Sequence, residues 1–169
     1  MTERDRSPDP GGPYEELLDA LRALVEGEPS ALANLCNAAA LLYDRLPRIN
    51  WAGFYLWSPR DRQLVLGPFQ GRPACVRLTP GRGVCGTAWR ERRTVLVPDV
   101  DAFPGHVACD PRSRSEIAVP LLRLPDEDPL GVLDLDSPEP ARFGPADAEG
   151  LERFVAVLLA HVDPRALVA

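Results

Sequence analysis

The sequence predicts an α+β domain in which helices pack on an antiparallel sheet. Two helical patterns precede any strand pattern, strand patterns then occur in pairs joined by short turns, and a further helical pattern closes the chain. Paired strands with short connections favour antiparallel hairpins, whereas a parallel sheet would need alternating βαβ units. The length of 169 residues corresponds to about one domain.

Two helices are predicted at the start of the domain. Pro13 opens the first, and its apolar residues recur at i, i+3, i+4 and i+7 until the helix ends near Gly27. Ser30 is a suitable N-cap for the second helix, which Pro47 ends. The second helix carries one apolar stripe that we expect to face the core: Leu32, Leu35, Cys36, Ala39, Leu42 and Leu46.

Two hairpins and a closing helix follow. The turn residues Ser58 to Asp61 connect the strands of the first hairpin, and residues 125–129 connect those of the second. Pro145 opens the closing helix, which has one apolar face. The predicted strands are 50–57, 63–69, 94–97, 116–124 and 130–136.

The segment between the hairpins is irregular. Glycines and prolines precede a short helical pattern that starts near Cys85. Residues 99–115 then show no regular pattern, and loops of this length in compact domains usually serve as lids or binding loops.

Composition and charge narrow the functional class. The net charge is 19 − 25 = −6, and no basic cluster is present, which argues against a surface for nucleic acid or anionic membrane. The amino terminus lacks the apolar stretch of a secretory signal, and no apolar run could cross a bilayer, so we expect a cytoplasmic protein. We expect a flexible tail over 1–12, the domain over 13–163 and a C-terminal tail over 164–169.

Four cysteines are present, and three of them lie in the irregular segment. Cys36 is expected to be a buried packing residue, since free cysteine behaves as a small hydrophobe. The spacing of Cys75, Cys85 and Cys109 does not match a zinc site, so we expect no metal. These three cysteines are either redox-active or unrelated loop residues.

Thiol chemistry requires a thiolate, and two positions could favour one. The dipole of the short helix could lower the pKa of Cys85 at its start. Cys109 has His106 and arginines nearby, with Asp110 opposing them. Local electrostatics does not show which of Cys85 and Cys109 forms a thiolate more readily.

Carboxyl groups and aromatic rings recur at strand spacing. Asp134 and Asp136 share one face of a strand, with Leu133 and Leu135 on the other, and Glu116 starts the preceding strand. These carboxyl groups either face solvent or line a pocket, where one with a raised pKa could donate a proton.

Trp51 and Tyr55 also share one strand face. They are either core residues or an aromatic wall for a small apolar or sulfur-containing group.

Together, the motifs NWAGFYL, QGRPAC, GRGVCGTAW, PDVDAFPGHVACD, SEIAVPLL and GVLDLDSPEPARF resemble, in order and spacing, the GAF-domain free methionine-(R)-sulfoxide reductases. The resemblance extends from about Asn50 to Phe143. It implies a GAF fold and a thiol-dependent enzyme that reduces free methionine (R)-sulfoxide, without a cofactor, and is regenerated by a thioredoxin-type reductant.

The resemblance also implies roles for individual residues. Cys109, in the GHVACD motif, falls on the family's nucleophile, Cys75 on the usual resolving thiol, and Cys85 on a residue implicated in the disulfide relay. The family's substrate-binding residues fall on Trp51, Tyr55, Glu116, Asp134, Asp136 and, less directly, Asp99. The alternative is a GAF module that senses a small molecule or redox state without catalysis. A homodimer is one option that the sequence patterns do not decide.

Overall fold

The central sheet consists of six antiparallel strands in the order β3-β2-β1-β6-β5-β4. The computed structural model describes residues 12–106, 109–123 and 128–168. The strands are β1 Trp51–Ser58, β2 Gln63–Gly71, β3 Arg77–Leu78, β4 Val95–Val97, β5 Ser115–Pro120 and β6 Gly131–Ser137. The helices are α1 Gly12–Val25, α2 Ala31–Arg45, α3 Gly83–Glu91 and α4 Pro145–His161, with short 3₁₀ helices at Val100–Ala102 and Pro164–Leu167.

Each face of the sheet packs against different helices. On one face, α1, α2 and α4 enclose the larger core, which contains Phe54, Leu133 and Leu135. On the other face, α3 and the adjoining loops cover a second cluster that contains Trp51 and Tyr55. The predicted α+β class and its antiparallel sheet are confirmed.

The strand register brings the polar residues of three strands together. Asp136 on β6 lies between Trp51 on β1 and Glu116 on β5. Asp134 pairs with Gly53 on one side and with Ala118 on the other. Because side chains alternate along a strand, the acidic side chains of β6 lie on the α3 face and its leucines lie in the larger core. The predicted alternation is therefore confirmed.

The helices begin and end close to the predicted positions, and Ser30 caps α2 by accepting a hydrogen bond from the Ala33 amide at 3.2 Å. The predicted burial of Cys36 is wrong, because the structure exposes this cysteine. Leu32 is also 52% exposed. The buried face of α2 centres on Leu35 and includes Ala38, and Cys36 lies about 100° around the helix from Leu35.

Several strand boundaries differ from prediction. The strand predicted over 116–124 ends at Pro120, and residues 124–127, including most of the predicted connection, lie outside the described residues. The two-residue strand β3 was not predicted from the sequence, because it is too short to show alternation. Residues 164–167 form a 3₁₀ helix in which Pro164 is buried. Among the described residues, no helix is long and apolar enough to span a membrane.

Candidate active site

An acidic cavity lies on the α3 face of the sheet. Strands β1, β5 and β6 form its floor, the start of α3 forms one wall, and the loop that carries Cys109 forms another. The predicted site residues that line it are Tyr55, Cys85, Cys109, Glu116, Asp134 and Asp136. A neighbouring shallow pocket shares four of these residues and adds Trp51. The register of the sheet therefore gathers nearly the whole predicted site.

Three carboxyl groups in the cavity have raised pKa values. Burial is the main cause of the raised pKa of Glu116, and the charge of Asp136 adds to it. Burial also raises the pKa of Asp134, with a further contribution from Glu116. The pKa of Asp136 is raised by burial and by Asp134. The protonated forms are favoured because isolation from water and mutual repulsion both disfavour the charged forms.

Cys85 lies on the first turn of α3 and is buried in the cavity wall. Its Sγ donates to Oε1 of Glu116 at 3.8 Å. Burial raises the pKa of the Cys85 thiol well above its ordinary value, and the charge of Asp134 raises it further. The prediction that the helix dipole lowers this pKa is therefore wrong, since desolvation and acidic neighbours outweigh the dipole.

Cys75 and Cys109 form a disulfide, and Cys109 lines the cavity. They are 34 positions apart in the sequence, and their Cα atoms are 5.5 Å apart. Cys85 is not part of this bond and remains a free thiol. The structure thus pairs Cys109 with one of its two candidate partners.

The aromatic wall consists of stacked rings on β1 and β2. The Trp51 ring stacks on Tyr55 with centroids 5.9 Å apart and on Phe69 with centroids 5.4 Å apart. Trp51 Nε1 donates to the Arg72 carbonyl at 3.1 Å, and the Tyr55 hydroxyl donates to the Cys75 carbonyl at 3.1 Å. These bonds fix the segment that carries Cys75 against the wall of the site.

His106 also lines the cavity. The sequence indicates only that it lies near Cys109 in the chain. Its Nε2 lies 3.6 Å from Oε2 of Glu116. Partial burial lowers the pKa of His106, while Asp101 acts in the opposite direction. The neutral imidazole is therefore favoured beside the acidic cluster.

The sequence predicts for Asp110 only that its negative charge opposes a thiolate at Cys109. Its carboxylate accepts hydrogen bonds from the Arg112 amide at 2.9 Å and from the Arg112 guanidinium at 2.8 Å. The side-chain hydrogen bond from Arg112 is the main cause that lowers the pKa of Asp110 to about 2. An acidic residue two positions before an arginine is the signal that could have indicated this local pair.

Like Cys75, Asp99 is a predicted site residue that lines neither of the two adjoining pockets. It caps the 3₁₀ helix Val100–Ala102, where its side chain accepts from the Asp101 amide at 3.1 Å. A capping role explains an aspartate at this position without substrate contact.

The cavity also contains a set of groups that could ligate a metal ion. Cys85, Glu116 and Asp134 each offer one ligand atom, and the three atoms lie within 4.8 Å of one another. Cysteine spacing alone could not reveal this set, because two of its members come from strands distant in sequence.

The match to a known protein family agrees with the architecture described above and covers the region that contains the site. The GAF-domain model matches residues 30–160 of the chain, which is more than half of it. Fold and match together define the protein as a GAF domain.

Relatives place the chain more narrowly within that class. It is 51% identical over 145 residues to a protein named free methionine-R-sulfoxide reductase from Escherichia coli (strain K12), covering 86% of each chain. The free methionine-R-sulfoxide reductase structure from Neisseria meningitidis, in complex with its substrate, superposes with a TM-score of 0.87 at 41% identity and covers 99% of both chains. A substrate complex of fRMsr from Staphylococcus aureus gives a TM-score of 0.82 at 45% identity, covering 94% of this chain and all of that one. The chain belongs to the free methionine-R-sulfoxide reductase family of GAF domains.

Proposed function

We propose that the protein reduces free methionine (R)-sulfoxide to methionine with its own cysteine thiols. The observation that carries this proposal is the Cys75–Cys109 disulfide, whose Cys109 lines a cavity together with carboxyl groups of raised pKa. A redox pair beside proton donors matches the needs of sulfoxide reduction, in which sulfur accepts electrons and oxygen accepts protons. The substrates of the related enzymes support the same chemistry.

Substrate binding uses both faces of the cavity. The stacked rings of Trp51 and Tyr55 offer an apolar surface to the methyl sulfoxide end, because sulfur groups make favourable contacts with aromatic rings. The acidic groups of β5 and β6 offer partners for the ammonium group of a free amino acid. A peptide-bound residue lacks that ammonium group, which explains a preference for the free form.

In the first chemical step, the reduced Cys109 thiolate attacks the sulfoxide sulfur. A protonated carboxyl group among Glu116, Asp134 and Asp136 donates a proton to the sulfoxide oxygen. The sulfoxide oxygen is transferred to Cys109 Sγ as its bond to the substrate sulfur and the transient bond between the two sulfurs break; methionine leaves with its sulfur reduced by two electrons, and Cys109 is oxidised to a sulfenic acid.

In the second step, the Cys75 thiol condenses with this sulfenic acid. The new sulfur–sulfur bond forms as one water molecule leaves. The Cα separation of 5.5 Å in the disulfide lies within the usual range for such a bond. An external dithiol of the thioredoxin type then attacks the disulfide and restores both thiols.

The proposal extends to the setting of the enzyme. It takes residues 13–163 as the catalytic domain of a cytoplasmic protein, with tails over 1–12 and 164–169; residues 1–11 and 169 of these tails lie outside the described residues. Cytoplasmic dithiol reductants would keep the thiols available. A homodimer is part of the same proposal, and light scattering on the purified protein would test it.

The direct test is chiral analysis of racemic free methionine sulfoxide after incubation with the protein and dithiothreitol. We expect the R epimer to disappear, methionine to form in equal amount and the S epimer to persist. The controls are dithiothreitol without protein and a short peptide that contains methionine sulfoxide, neither of which should react. Unchanged epimer ratios would contradict the proposal and would support the sensor alternative if a small ligand bound tightly.

A further inference from the structure

Cys85, Glu116 and Asp134 form a compact donor set inside the acidic cavity. All three are buried and come from α3, β5 and β6, so the sheet and helix hold them in place before any ligand arrives. Their ligand atoms lie within 4.8 Å of one another, and the Cys85 Sγ to Glu116 Oε1 distance is 3.8 Å. Groups already held together lose little conformational freedom on binding a common partner.

A separate observation concerns one oxygen of Asp134. This residue is only 6% exposed, and its Oδ1 atom is buried without a hydrogen-bond partner among the described residues. A buried carboxyl oxygen without a partner costs free energy, and such atoms call for an explanation. Because Asp134 lines the cavity, a bound cation could satisfy this oxygen.

The spacing of the Cys85 and Glu116 ligand atoms agrees with a tetrahedral ion, and the Asp134 ligand atom lies within 4.8 Å of both. Zinc bonds of about 2.3 Å to sulfur and about 2.0–2.2 Å to oxygen place neighbouring ligand atoms roughly 3.5 Å apart in a tetrahedron. The observed Sγ to Oε1 distance requires a shift of only a few tenths of an ångström. We propose that Cys85, Glu116 and Asp134 bind a thiophilic divalent cation such as Zn²⁺, with the fourth position open to the cavity.

Charge balance favours a divalent cation over a monovalent one. Binding releases the Cys85 thiol proton and any carboxyl protons to solvent, and it leaves three anionic ligands around two positive charges. Burial and mutual repulsion disfavour these anions, and a bound cation would compensate both effects. No oxidation or reduction accompanies this step.

The bound cation would inhibit the proposed reductase. It would hold Glu116 and Asp134 in anionic form and occupy the space in which the sulfoxide oxygen receives its proton. This consequence rests on the proposed function, whereas metal binding itself does not. Metal binding and inhibition of the reductase are therefore measured separately.

The binding test uses the oxidised protein, in which the Cys75–Cys109 disulfide leaves only Cys36 and Cys85 as free thiols. Cd²⁺ serves as a spectroscopic substitute for Zn²⁺, since its bond to a thiolate gives ultraviolet charge-transfer absorption. Zn²⁺ affinity is measured by competition with a chromogenic chelator. We expect one ion of either metal per chain and a sulfur–cadmium absorption band.

Two variants test individual ligands, and a third serves as the control. Cys85→Ser should remove the absorption band and lower Zn²⁺ affinity at least tenfold, whereas Cys36→Ser, the matched control, should leave both unchanged. Asp134→Asn keeps both thiols, and it should still lower Zn²⁺ affinity at least tenfold if the carboxylate is a ligand. Circular dichroism verifies folding, and Asp134→Asn decides the matter if Cys85→Ser does not fold.

Three results would overturn the site. They are absence of stoichiometric binding to the oxidised protein, loss of the band in Cys36→Ser rather than Cys85→Ser, and wild-type affinity in Asp134→Asn. If the metal binds as expected but sulfoxide reduction is absent, the proposed function fails and the metal site stands. If reduction occurs and is insensitive to Zn²⁺ while binding is absent, the metal site fails alone.

Discussion

Glu116 on β5 lies directly opposite Asp136 on β6, and both side chains line the acidic cavity. Two carboxyl groups at paired positions of neighbouring strands are within a few ångströms of each other, so they repel when both are ionised. Burial adds to this effect and raises the pKa of each group. The pairing of the two strands therefore favours protonated carboxyl groups close to the redox cysteines.

Replacement of Glu116 by glutamine should reduce turnover of free methionine sulfoxide by about 10²- to 10⁴-fold, the range typical for loss of a general acid. Glutamine keeps the shape of the side chain and can donate a hydrogen bond, but it cannot transfer a proton. Steady-state kinetics at neutral pH with dithiothreitol as reductant measures the effect.

The matched control for this variant is Glu149→Gln on the exposed surface of α4, which should retain wild-type kinetics. Thermal unfolding shows whether Glu116→Gln is folded. A folded Glu116→Gln enzyme with at least half of the wild-type turnover would assign the proton donor to Asp134 or Asp136 instead.

The same carboxyl cluster should make the protein less stable as the pH rises. The pKa values of Glu116, Asp134 and Asp136 are raised in the folded state above ordinary values of 4.5 and 3.8. Above those values the folded chain binds more protons than the unfolded chain, so the free energy of unfolding falls with increasing pH. The stabilisation is complete below the unfolded pKa and is lost as the pH rises through the folded one.

Other groups limit the range of this effect. The lowered pKa of Asp110, about 2, contributes stability that is lost as the pH falls below about 4. The lowered pKa of His106 adds stability as the pH rises toward its ordinary 6.5, above which the gain is complete. We therefore expect the decline to begin above about pH 4 and to continue as the pH rises through the raised pKa values of the cluster, measured by urea unfolding at several pH values.

Asp136→Asn should flatten this decline, because it removes one raised carboxyl group and relieves its neighbours. Asp44→Asn, on the exposed face of α2, is the control and should follow the wild-type curve. A decline in Asp136→Asn as steep as that of the wild type would show that the cluster does not control the pH dependence.

The sequence predicts the elements of this fold well, because local patterns determine them. Period-two alternation was sufficient to place Asp134 and Asp136 on one face and Leu133 and Leu135 on the other. Ser30 and Pro145 marked helix starts through capping and conformational preferences that act within a few residues.

Prediction from the sequence fails where burial, pKa or disulfide pairing depends on tertiary contacts. Cys36 belongs to the predicted apolar stripe, but the helix is rotated so that Leu35 and Leu42 are buried whereas Cys36 is exposed. The pKa of Cys85 is raised rather than lowered, because its burial and its contact with Glu116 come from long-range packing. Likewise, only the folded loop reveals that Cys75 reaches Cys109.

The two cysteines of the disulfide should have separable effects on catalysis. Cys109→Ser should abolish methionine formation even in a single turnover, because a serine hydroxyl is a poor nucleophile toward sulfur. Cys75→Ser should form about one equivalent of methionine per chain and then accumulate a Cys109 sulfenic acid, detected by mass spectrometry after dimedone trapping. Rapid-quench assays on pre-reduced protein measure both.

The control is Cys36→Ser, since Cys36 is exposed and distant in the chain from the disulfide. It should keep both the first turnover and multiple turnovers. Full single-turnover activity in Cys109→Ser would contradict the assignment of the nucleophile, and sustained cycling in Cys75→Ser would transfer the resolving role to Cys85.

Gly53 should be needed for the position of the aromatic wall. A Cβ atom added here would overlap Phe69 Cβ and lie 2.7 Å from Trp51 Cη2 and 2.8 Å from Phe69 Cα. Gly53→Ala should therefore separate the Trp51 and Phe69 rings, whose centroids are 5.4 Å apart, at a cost of about 1–3 kcal/mol in unfolding free energy. Because Trp51 borders the proposed substrate position, KM for free methionine sulfoxide should rise more than kcat falls.

Gly144→Ala is the matched control, since no atom lies within 4 Å of an added Cβ at this position before α4. It should cost less than about 1 kcal/mol, the usual loss at a helix cap, and should leave KM unchanged. Urea unfolding and steady-state kinetics on both variants separate the two effects. If Gly53→Ala is destabilised and keeps the wild-type KM, the Trp51 ring serves the core and not the substrate.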